Sequence, residues 1–292
     1  MNMDEEKKFE HTGRMIRAEI ETSATPQQAW EAWADPEKIA QWFVDRAAGE
    51  AKPGGTITWF FDEFGYVLPF KALDAVPGSL FVLGWDPPQD RPGIFEVRIE
   101  RRGGSTVVRL IQSGFREDAQ WNEEYEGTAS GWQMSLAILK HYLENYFGRK
   151  RTILFVIRPA SFAYEQLLPY FLDPAKLSRW LVKSGSIGKT GEKVQLDLGD
   201  SGKLTGRVLT TTKWEVALSW EEIGGTLELK GFSMGPQRVV GVRCFTWKLA
   251  ANEAAKFEPQ LRAAVERLAA LFPAPAGNSS SAPAKTSIEE EP

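Results

Sequence analysis

One segment of nine residues occurs twice in this chain, first as DPEKIAQWF from Asp35 and again, 138 residues later, as DPAKLSRWL from Asp173. The Asp, Pro, Lys and Trp of the segment are identical in both copies, and both copies end on a large apolar residue. A separation of this length is too long for a solenoid repeat and matches the size of one whole domain. The sequence therefore predicts two copies of one fold in tandem.

The composition is that of a globular protein large enough for two cores. Of the 292 residues, 42% are hydrophobic and 25% are charged, which are ordinary fractions for a soluble chain. No apolar run approaches the roughly 18 residues that a membrane span needs, and residues 1–10 contain no apolar stretch typical of a secretory signal. The single cysteine, Cys244, excludes an internal disulfide and fits a reducing compartment. We therefore expect a cytoplasmic protein without a membrane span.

Charge is distributed unevenly between the two copies. Residues 1–151 carry 18 Lys and Arg against 24 Asp and Glu, whereas residues 152–272 carry 16 against 12. Opposite net charges favour docking of the two copies on each other, although single surface pairs contribute little. Neither half is basic enough to predict a nucleic-acid partner.

The pattern of each copy predicts a strand, two short helices, a series of short strands and a terminal helix. In the first copy, Thr25-Pro26 and Asp35-Pro36 are typical helix starts, because Thr and Asp cap helices and Pro suits the first turn. Asp35 is therefore interpreted as a helix cap and not as a catalytic carboxylate. The long helix predicted at 118–147 has an apolar stripe at helical spacing, and its two interior glycines indicate close backbone packing or a bend. The predicted strands of the first copy are 15–22, 56–61, 66–76, 80–85, 94–101 and 106–112.

Composition and pattern together divide the chain into four parts. We expect an N-terminal arm at 1–13, a first domain at 14–148 and a second domain at 149–272. The remaining residues, 273–292, are rich in Ala, Pro and Ser and end in three glutamates before the last proline, which predicts a disordered tail.

Several motifs of the first copy carry a resemblance to a known family: Thr25–Trp30, Asp35–Lys38, Trp42-Phe43, Pro53-Gly54-Gly55, Val76-Pro77-Gly78 with Trp85, and Gly131-Trp132. On these motifs the copy resembles the homologues of the C-terminal domain of the activator of the heat-shock-protein ATPase, within the START-like or SRPBCC group of hydrophobic-ligand-binding proteins. The resemblance implies the α+β helix-grip fold, in which a curved antiparallel sheet wraps round a long C-terminal helix. It also implies a cavity between the sheet and that helix.

The second copy matches the pattern only in its helix pair, in Trp220 and in the order of its elements. Pro169 falls inside its first helix, Thr211-Thr212-Lys213 replaces the Val-Pro-Gly turn, and its last helix lacks the Gly-Trp pair. We interpret it as a degenerate copy that packs on the first and restricts access to its cavity. The chain contains nothing that resembles the N-terminal chaperone-contacting domain of the eukaryotic activators, so a chaperone partner is an alternative that rests on the resemblance alone.

Aromatic residues dominate the surfaces that would line the first cavity. Aromatic rings offer a large apolar area with an occasional N–H or O–H group, which suits a flat or lipid-like ligand. The same rings could instead fill a closed core. Arg109 and Gln112, in the last strand, are candidates for a polar group that points inward. The candidate ligand-binding residues are Trp42, Phe43, Trp59, Phe61, Phe70, Trp85, Phe95, Gln112, Trp121, Tyr125 and Trp132.

Signals for catalysis and metal binding are weak. His11 lies in the N-terminal arm, and His141 lies off the apolar stripe of the long helix, where we expect a solvated side chain. No Ser/His/Asp arrangement stands out, Cys244 has no nearby histidine, and no cluster has the spacing of zinc ligands. The sequence therefore predicts no catalytic residue, no metal and no cofactor.

The leading hypothesis is a non-enzymatic START-like protein whose first domain holds a hydrophobic small molecule or lipid-like ligand. Two alternatives stay open. One is a polyketide cyclase- or hydrolase-like enzyme of the same superfamily, which requires a polar group inside the cavity. The other is a chaperone cofactor that acts as an activator of a heat-shock-protein ATPase.

Overall fold

Two seven-stranded antiparallel sheets follow one another along the chain, and each is followed by helix. The structure, a computed structural model, describes residues 9, 11–85, 93–234 and 237–273. The predicted tail lies outside these residues except for Pro273, as does most of the predicted N-terminal arm. The elements of the first domain are β1 (Arg14–Thr22), α1 (Pro26–Ala34), α2 (Pro36–Ile39), β2 (Arg46–Gly49), β3 (Thr56–Phe61), β4 (Tyr66–Val76), β5 (Leu80–Trp85), β6 (Ile94–Arg102), β7 (Ser105–Phe115) and α3 (Asn122–Asn145).

The second domain repeats this order of elements and this sheet topology. The strand order is β1-β7-β6-β5-β4-β3-β2 in the first sheet and β8-β14-β13-β12-β11-β10-β9 in the second, so every strand has a counterpart at the same place. The tandem arrangement predicted from the repeated segment and the α+β helix-grip fold implied by the resemblance are thereby confirmed. The elements of the second domain are β8 (Thr152–Pro159), α4 (Tyr164–Leu172), α5 (Pro174–Leu177), β9 (Ser184–Ser186), β10 (Lys193–Asp197), β11 (Lys203–Thr211), β12 (Val216–Trp220), β13 (Gly225–Met234), β14 (Gln237–Thr246), α6 (Ala251–Ala254) and α7 (Glu258–Ala270).

The repeated nine-residue segment performs the same structural task in both domains. The carboxylates of Asp35 and Asp173 each accept a hydrogen bond of 2.8 Å from the backbone N–H two residues further on, so both are the helix caps predicted for them. The indole N–H groups of Trp42 and Trp180 each donate to the carbonyl ten residues earlier, at 2.8 and 2.9 Å. Each segment therefore fixes its short helix against the end of the preceding one.

The strands missing from the sequence prediction are the edge strands β2 and β9. Their sequences, RAAG and SGS, contain no alternation of apolar and polar residues, and their side chains are almost entirely exposed or half-buried. Alternation is the signal of a strand with one buried face. An edge strand that buries no face gives no such signal.

Helix α3 lies between the two sheets. On one side it covers the first sheet, and on the other it packs against β11 and β12 of the second domain. Gly127 lies against the indole of Trp214, and Ser130 Oγ lies 2.6 Å from Thr212 Oγ1 and 3.2 Å from Glu215 Oε2. The helix is consequently buried on two opposite faces, only one of which belongs to its own domain.

Ion pairs join acidic residues of α3 to basic residues of the second domain, as the uneven charge distribution predicts. Arg238 donates to Glu123 Oε2 at 2.7 Å, and Lys213 donates to Glu126 Oε2 at 2.6 Å. All four side chains are partly exposed, so the contribution of each pair to stability is small. Their complementary charges are consistent with this orientation of the two domains, but they add little to its free energy.

A buried charge cluster lies on the face of the second sheet that is turned to the first domain. Glu228 is fully buried and accepts hydrogen bonds from Arg243 and Lys230. Burial alone raises the pKa of Glu228, but Arg243 and then Lys230 outweigh it and hold that pKa below its ordinary value. Lys230 also pairs with Glu215 at 3.4 Å. Removing one partner would leave a buried charge uncompensated, which is far more costly than losing a surface pair.

Trp247 of the second domain supplies an aromatic anchor to the first. Its ring stacks on Tyr146 at 4.9 Å and 11°, and its indole N–H donates to the carbonyl of Gln41 at 2.9 Å. The side chain is only 4% exposed.

We predict that Trp247→Ala lowers the free energy of unfolding by about 3–5 kcal/mol, measured by urea denaturation. Tyr66→Ala, at a 53% exposed position, should change it by less than about 0.5 kcal/mol; equal effects would contradict the anchor.

Candidate ligand-binding site

A cavity of about 250 Å³ lies between the first sheet and the N-terminal half of α3. Its walls come from the segment after α2, from strands β3 to β7 and from the helix. No described element of the second domain contributes to the lining. The lining residues are Phe43, Trp59, Phe61, Leu68, Phe70, Trp85, Gly93, Ile94, Phe95, Gln112, Thr128, Gly131, Trp132 and Ser135.

Strand alternation places the sheet side chains in the cavity. Trp59 and Phe61 are two residues apart on β3, and Leu68 and Phe70 are two residues apart on β4. Side chains two apart share a face of the sheet, and the register pairs Trp59 with Leu68 across the two strands. This small block of the sheet therefore forms one continuous apolar wall.

Helical spacing places the helix residues opposite that wall. Thr128, Gly131, Trp132 and Ser135 lie at positions i, i+3, i+4 and i+7 of α3, which is one face of a helix. Three of them contribute a side chain and Gly131 contributes only backbone. This part of the cavity is consequently bounded by the helix main chain itself.

The rings around the cavity hold one another in place. Phe43 lies 5.5 Å from Trp59, 5.5 Å from Phe61 and 5.0 Å from Trp132, measured between ring centroids. The first two contacts are edge-to-face, with interplanar angles of 88° and 90°, which is a favoured geometry for aromatic pairs. Phe43 is therefore in contact with other rings on several sides, which restricts its movement into the cavity.

One polar side chain, Gln112, is oriented by a helix residue. Trp132 Nε1 donates to Gln112 Oε1 at 2.5 Å. Because an indole N–H can only donate, the atom that it contacts must be the amide oxygen. The amide nitrogen of Gln112 makes no hydrogen bond to any described residue, so it leaves two N–H donors available at the cavity.

The other polar candidate from the last strand does not reach the cavity. Arg109 lies on the outer face of the sheet, where it pairs with Glu19 and with Glu100. Positions 109 and 112 differ by three, so strand alternation places their side chains on opposite faces. The expectation that both could point inward is corrected: only Gln112 does.

The described lining residues include no titratable side chain. Thr128 and Ser135 add hydroxyl groups, and the Thr128 hydroxyl donates to the Glu124 carbonyl at 2.8 Å. Residues 86–92, between the lining residues Trp85 and Gly93, lie outside the described part of the chain. Within that part, no group of His, Cys, Asp and Glu residues is arranged to hold a metal ion.

Eight of the eleven candidate residues line the cavity, and Trp42, Trp121 and Tyr125 do not. Trp42 is 1% exposed and lies behind Phe43 at 5.2 Å. Trp121 lies in a 3-10 turn before α3, with the Arg116 guanidinium 4.7 Å from its ring. The Tyr125 hydroxyl donates to a backbone carbonyl of β1 at 2.9 Å. These three side chains make their contacts outside the cavity lining.

The lining residues that the prediction omitted are small or aliphatic. Leu68 precedes Phe70 by two positions in the predicted strand, so strand alternation could have identified it. Thr128 and Ser135 lie four before and three after Trp132, so helical spacing could have identified them too. Gly93 and Ile94 follow a loop and carry no comparable signal in the sequence.

The two histidines lie in structural contacts outside the cavity. His11 contacts Ser113 Oγ at 3.2 Å and Glu96 Oε2 at 3.1 Å, which ties the N-terminal arm to the sheet. His141 lies at the domain interface, with its ring 6.0 Å from that of Trp247. The expectation that His141 is solvated was wrong, because the second domain covers this face of α3.

Two helix-grip domains in tandem, the first with an aromatic cavity, define the class of this protein. Residues 23–144 match the family described as "Activator of Hsp90 ATPase homolog 1-like protein". The match lies within the first domain, as its resemblance indicated, and includes no residue of the second domain. No curated protein matches the chain in sequence. Among the described residues, none of the helices combines the length and the apolar character that a membrane span requires.

Solved structures with a similar fold include single-domain and two-domain proteins. The Aha1 dimer from Colwellia psychrerythraea is 20% identical, with a TM-score of 0.40 over 45% of this chain and 97% of its own. DynU16, a putative protein in the dynemicin biosynthetic locus, is 15% identical, with a TM-score of 0.40 over 89% and 99%. The di-domain ARO/CYC BexL from the BE-7585A biosynthetic pathway is 12% identical, with a TM-score of 0.42 over 90% and 99%.

The interface around His141 predicts a pH dependence of stability. Burial lowers the pKa of His141 to about 4, against smaller opposing effects of Glu144 and a backbone group of Gly225, whereas the unfolded chain has the ordinary value near 6.5. Between these values the unfolded state binds a proton that the folded state does not, so stability falls as the pH falls. From pH 7 to pH 5 the wild type should lose about 1–2 kcal/mol more than His141→Gln, measured by urea denaturation. Parallel pH profiles would contradict this prediction.

Proposed function

We propose that the first domain binds a neutral, flat organic ligand in its aromatic cavity and that binding, without chemical conversion, is its function. The observation that carries this proposal is the set of mutually supported rings around an open volume of about 250 Å³. A dry apolar cavity of about 150 Å³ is enough for benzene. A cavity of this size is therefore suited to a molecule with two fused rings.

The polarity of the lining narrows the chemistry of the ligand. No charged side chain faces the cavity among the described residues, so a charged ligand would be desolvated without a partner, at high cost. The free N–H groups of Gln112 favour a ligand that carries a hydrogen-bond acceptor, such as a carbonyl oxygen. We therefore propose an aromatic or polycyclic ketone-like compound as the ligand class.

The same lining favours binding over acid–base catalysis. A cyclase or hydrolase acting on such a compound needs a group that moves a proton at the reacting atom. Gln112, Thr128 and Ser135 are the polar side chains of the described lining, and none has a pKa suited to that role near neutral pH. A chaperone-cofactor role would rest on the family's name alone, so it is not proposed.

Titration with prodan, a neutral naphthyl ketone whose emission reports the polarity around it, tests the proposal. The protein should bind one molecule per chain with a blue shift of its emission and a dissociation constant on the order of 10 μM. Phe61→Ala, at a half-buried lining position, should weaken binding several-fold, whereas Trp121→Ala, outside the cavity, should leave it unchanged. Absence of saturable binding by protein from which bound organic compounds have been extracted would overturn the proposal.

The role of Gln112 predicts a selective effect on ligands with an acceptor. Gln112→Met keeps the length of the side chain and a weak acceptor for Trp132 Nε1, but it removes both N–H donors. Competition against prodan should show that 2-acetylnaphthalene binds this variant about 3–10-fold more weakly than the wild type. The isosteric hydrocarbon 2-isopropenylnaphthalene, in which a methylene group replaces the carbonyl oxygen, should bind both proteins equally. Equal losses for the two competitors would show that Gln112 contributes shape and not a hydrogen bond.

A further inference from the structure

Helix α3 contains two glycines four residues apart, Gly127 and Gly131, on neighbouring turns of its N-terminal half. Glycine is the poorest helix former after proline, because it loses the most backbone freedom on folding. Neither residue has a positive φ angle, so neither is required by backbone conformation. The presence of each glycine must therefore be explained by the atoms or the space around it.

Gly127 is explained by packing between the domains. A Cβ atom at this position would lie 2.8 Å from Cζ3 of Trp214, closer than carbon atoms approach without displacement. Trp214 is 4% exposed and stacks on Tyr164 at 3.9 Å, so its ring has little room to move. Only glycine lets the helix approach the second domain this closely.

Gly131 has no such explanation. A Cβ atom at this position would meet no atom within 4 Å outside its own helical turn. Alanine would therefore fit without strain and would be a better helix former. The open space in front of Gly131 is the cavity itself, because this residue is part of the lining. The missing side chain increases the volume available to a ligand and does nothing for the packing of the fold.

We propose that Gly131 is the specificity-determining residue of the cavity, an inference that rests on the ligand-binding function proposed above. The bare backbone at this position leaves room for the edge of a flat ring system to lie against the helix, beside the indole of Trp132. Any side chain at position 131 would project into that room. The site therefore takes fused-ring compounds that extend to the helical wall, and it would take only smaller ones if position 131 carried a side chain.

The test compares three variants of the full chain by prodan titration and thermal unfolding. Gly131→Ala should bind prodan about tenfold more weakly than the wild type, and Gly131→Leu more than about 100-fold more weakly. The Tm of Gly131→Ala should rise by about 2 °C, because the helix gains a better former and no contact is lost. Gln133→Leu, which adds the same side chain at an exposed position of the same helix, should bind prodan like the wild type.

The outcomes separate this inference from the function on which it rests. If the wild type does not bind prodan, the proposed function fails, and the role of Gly131 fails with it. If the wild type binds and Gly131→Leu binds equally well, only the role of Gly131 is overturned. A loss in Gln133→Leu as large as in Gly131→Leu would also overturn it. If Gly131→Leu does not fold, the alanine variant decides: unchanged affinity in a folded Gly131→Ala protein would overturn the inference.

Discussion

The structure depends on the burial of one helix, α3, from two opposite sides. Its own sheet covers one face and the second sheet covers the other, so the chain forms successive layers of sheet, helix, sheet and helix. A helix held in this way cannot shift toward either sheet without opening contacts on the other side. The position of the cavity wall is therefore set by two domains, although every described lining residue belongs to one of them.

This double burial explains why the sequence of α3 was only partly interpretable. The apolar stripe correctly identified the face that covers the first sheet, including Trp132. The opposite face contains Ser130 and His141, which look like solvent-exposed residues in a periodicity analysis but are covered by the second domain. Polar residues that find partners across a domain interface do not differ in pattern from polar residues that face water. Sequence periodicity could therefore predict one contact surface of this helix and not the other.

Prediction succeeded where the signal is local and failed where it depends on distant contacts. Strands β3, β4 and β5 begin and end where turn residues and alternation placed them, and Asp35 caps α2 as its neighbouring proline indicated. Trp121 and Tyr125 belong to the same helical stripe as Trp132, yet they lie outside the cavity. A stripe indicates which side of a helix faces a sheet, but the curvature of that sheet decides how far along the helix a space remains.

One departure of the second copy from the family pattern lies where it contacts the first. The segment Thr211-Thr212-Lys213, which replaces a Val-Pro-Gly turn, leads directly into Trp214, and these residues contact α3 at Ser130, Glu126 and Gly127. A turn built only to reverse the chain would need glycine and proline, whereas this one must also present a hydroxyl, an ammonium group and an indole to a neighbouring helix. The contacts of this segment with α3 therefore explain why its sequence differs from the Val-Pro-Gly turn. The second domain has become the support on which the helical wall of the first cavity rests.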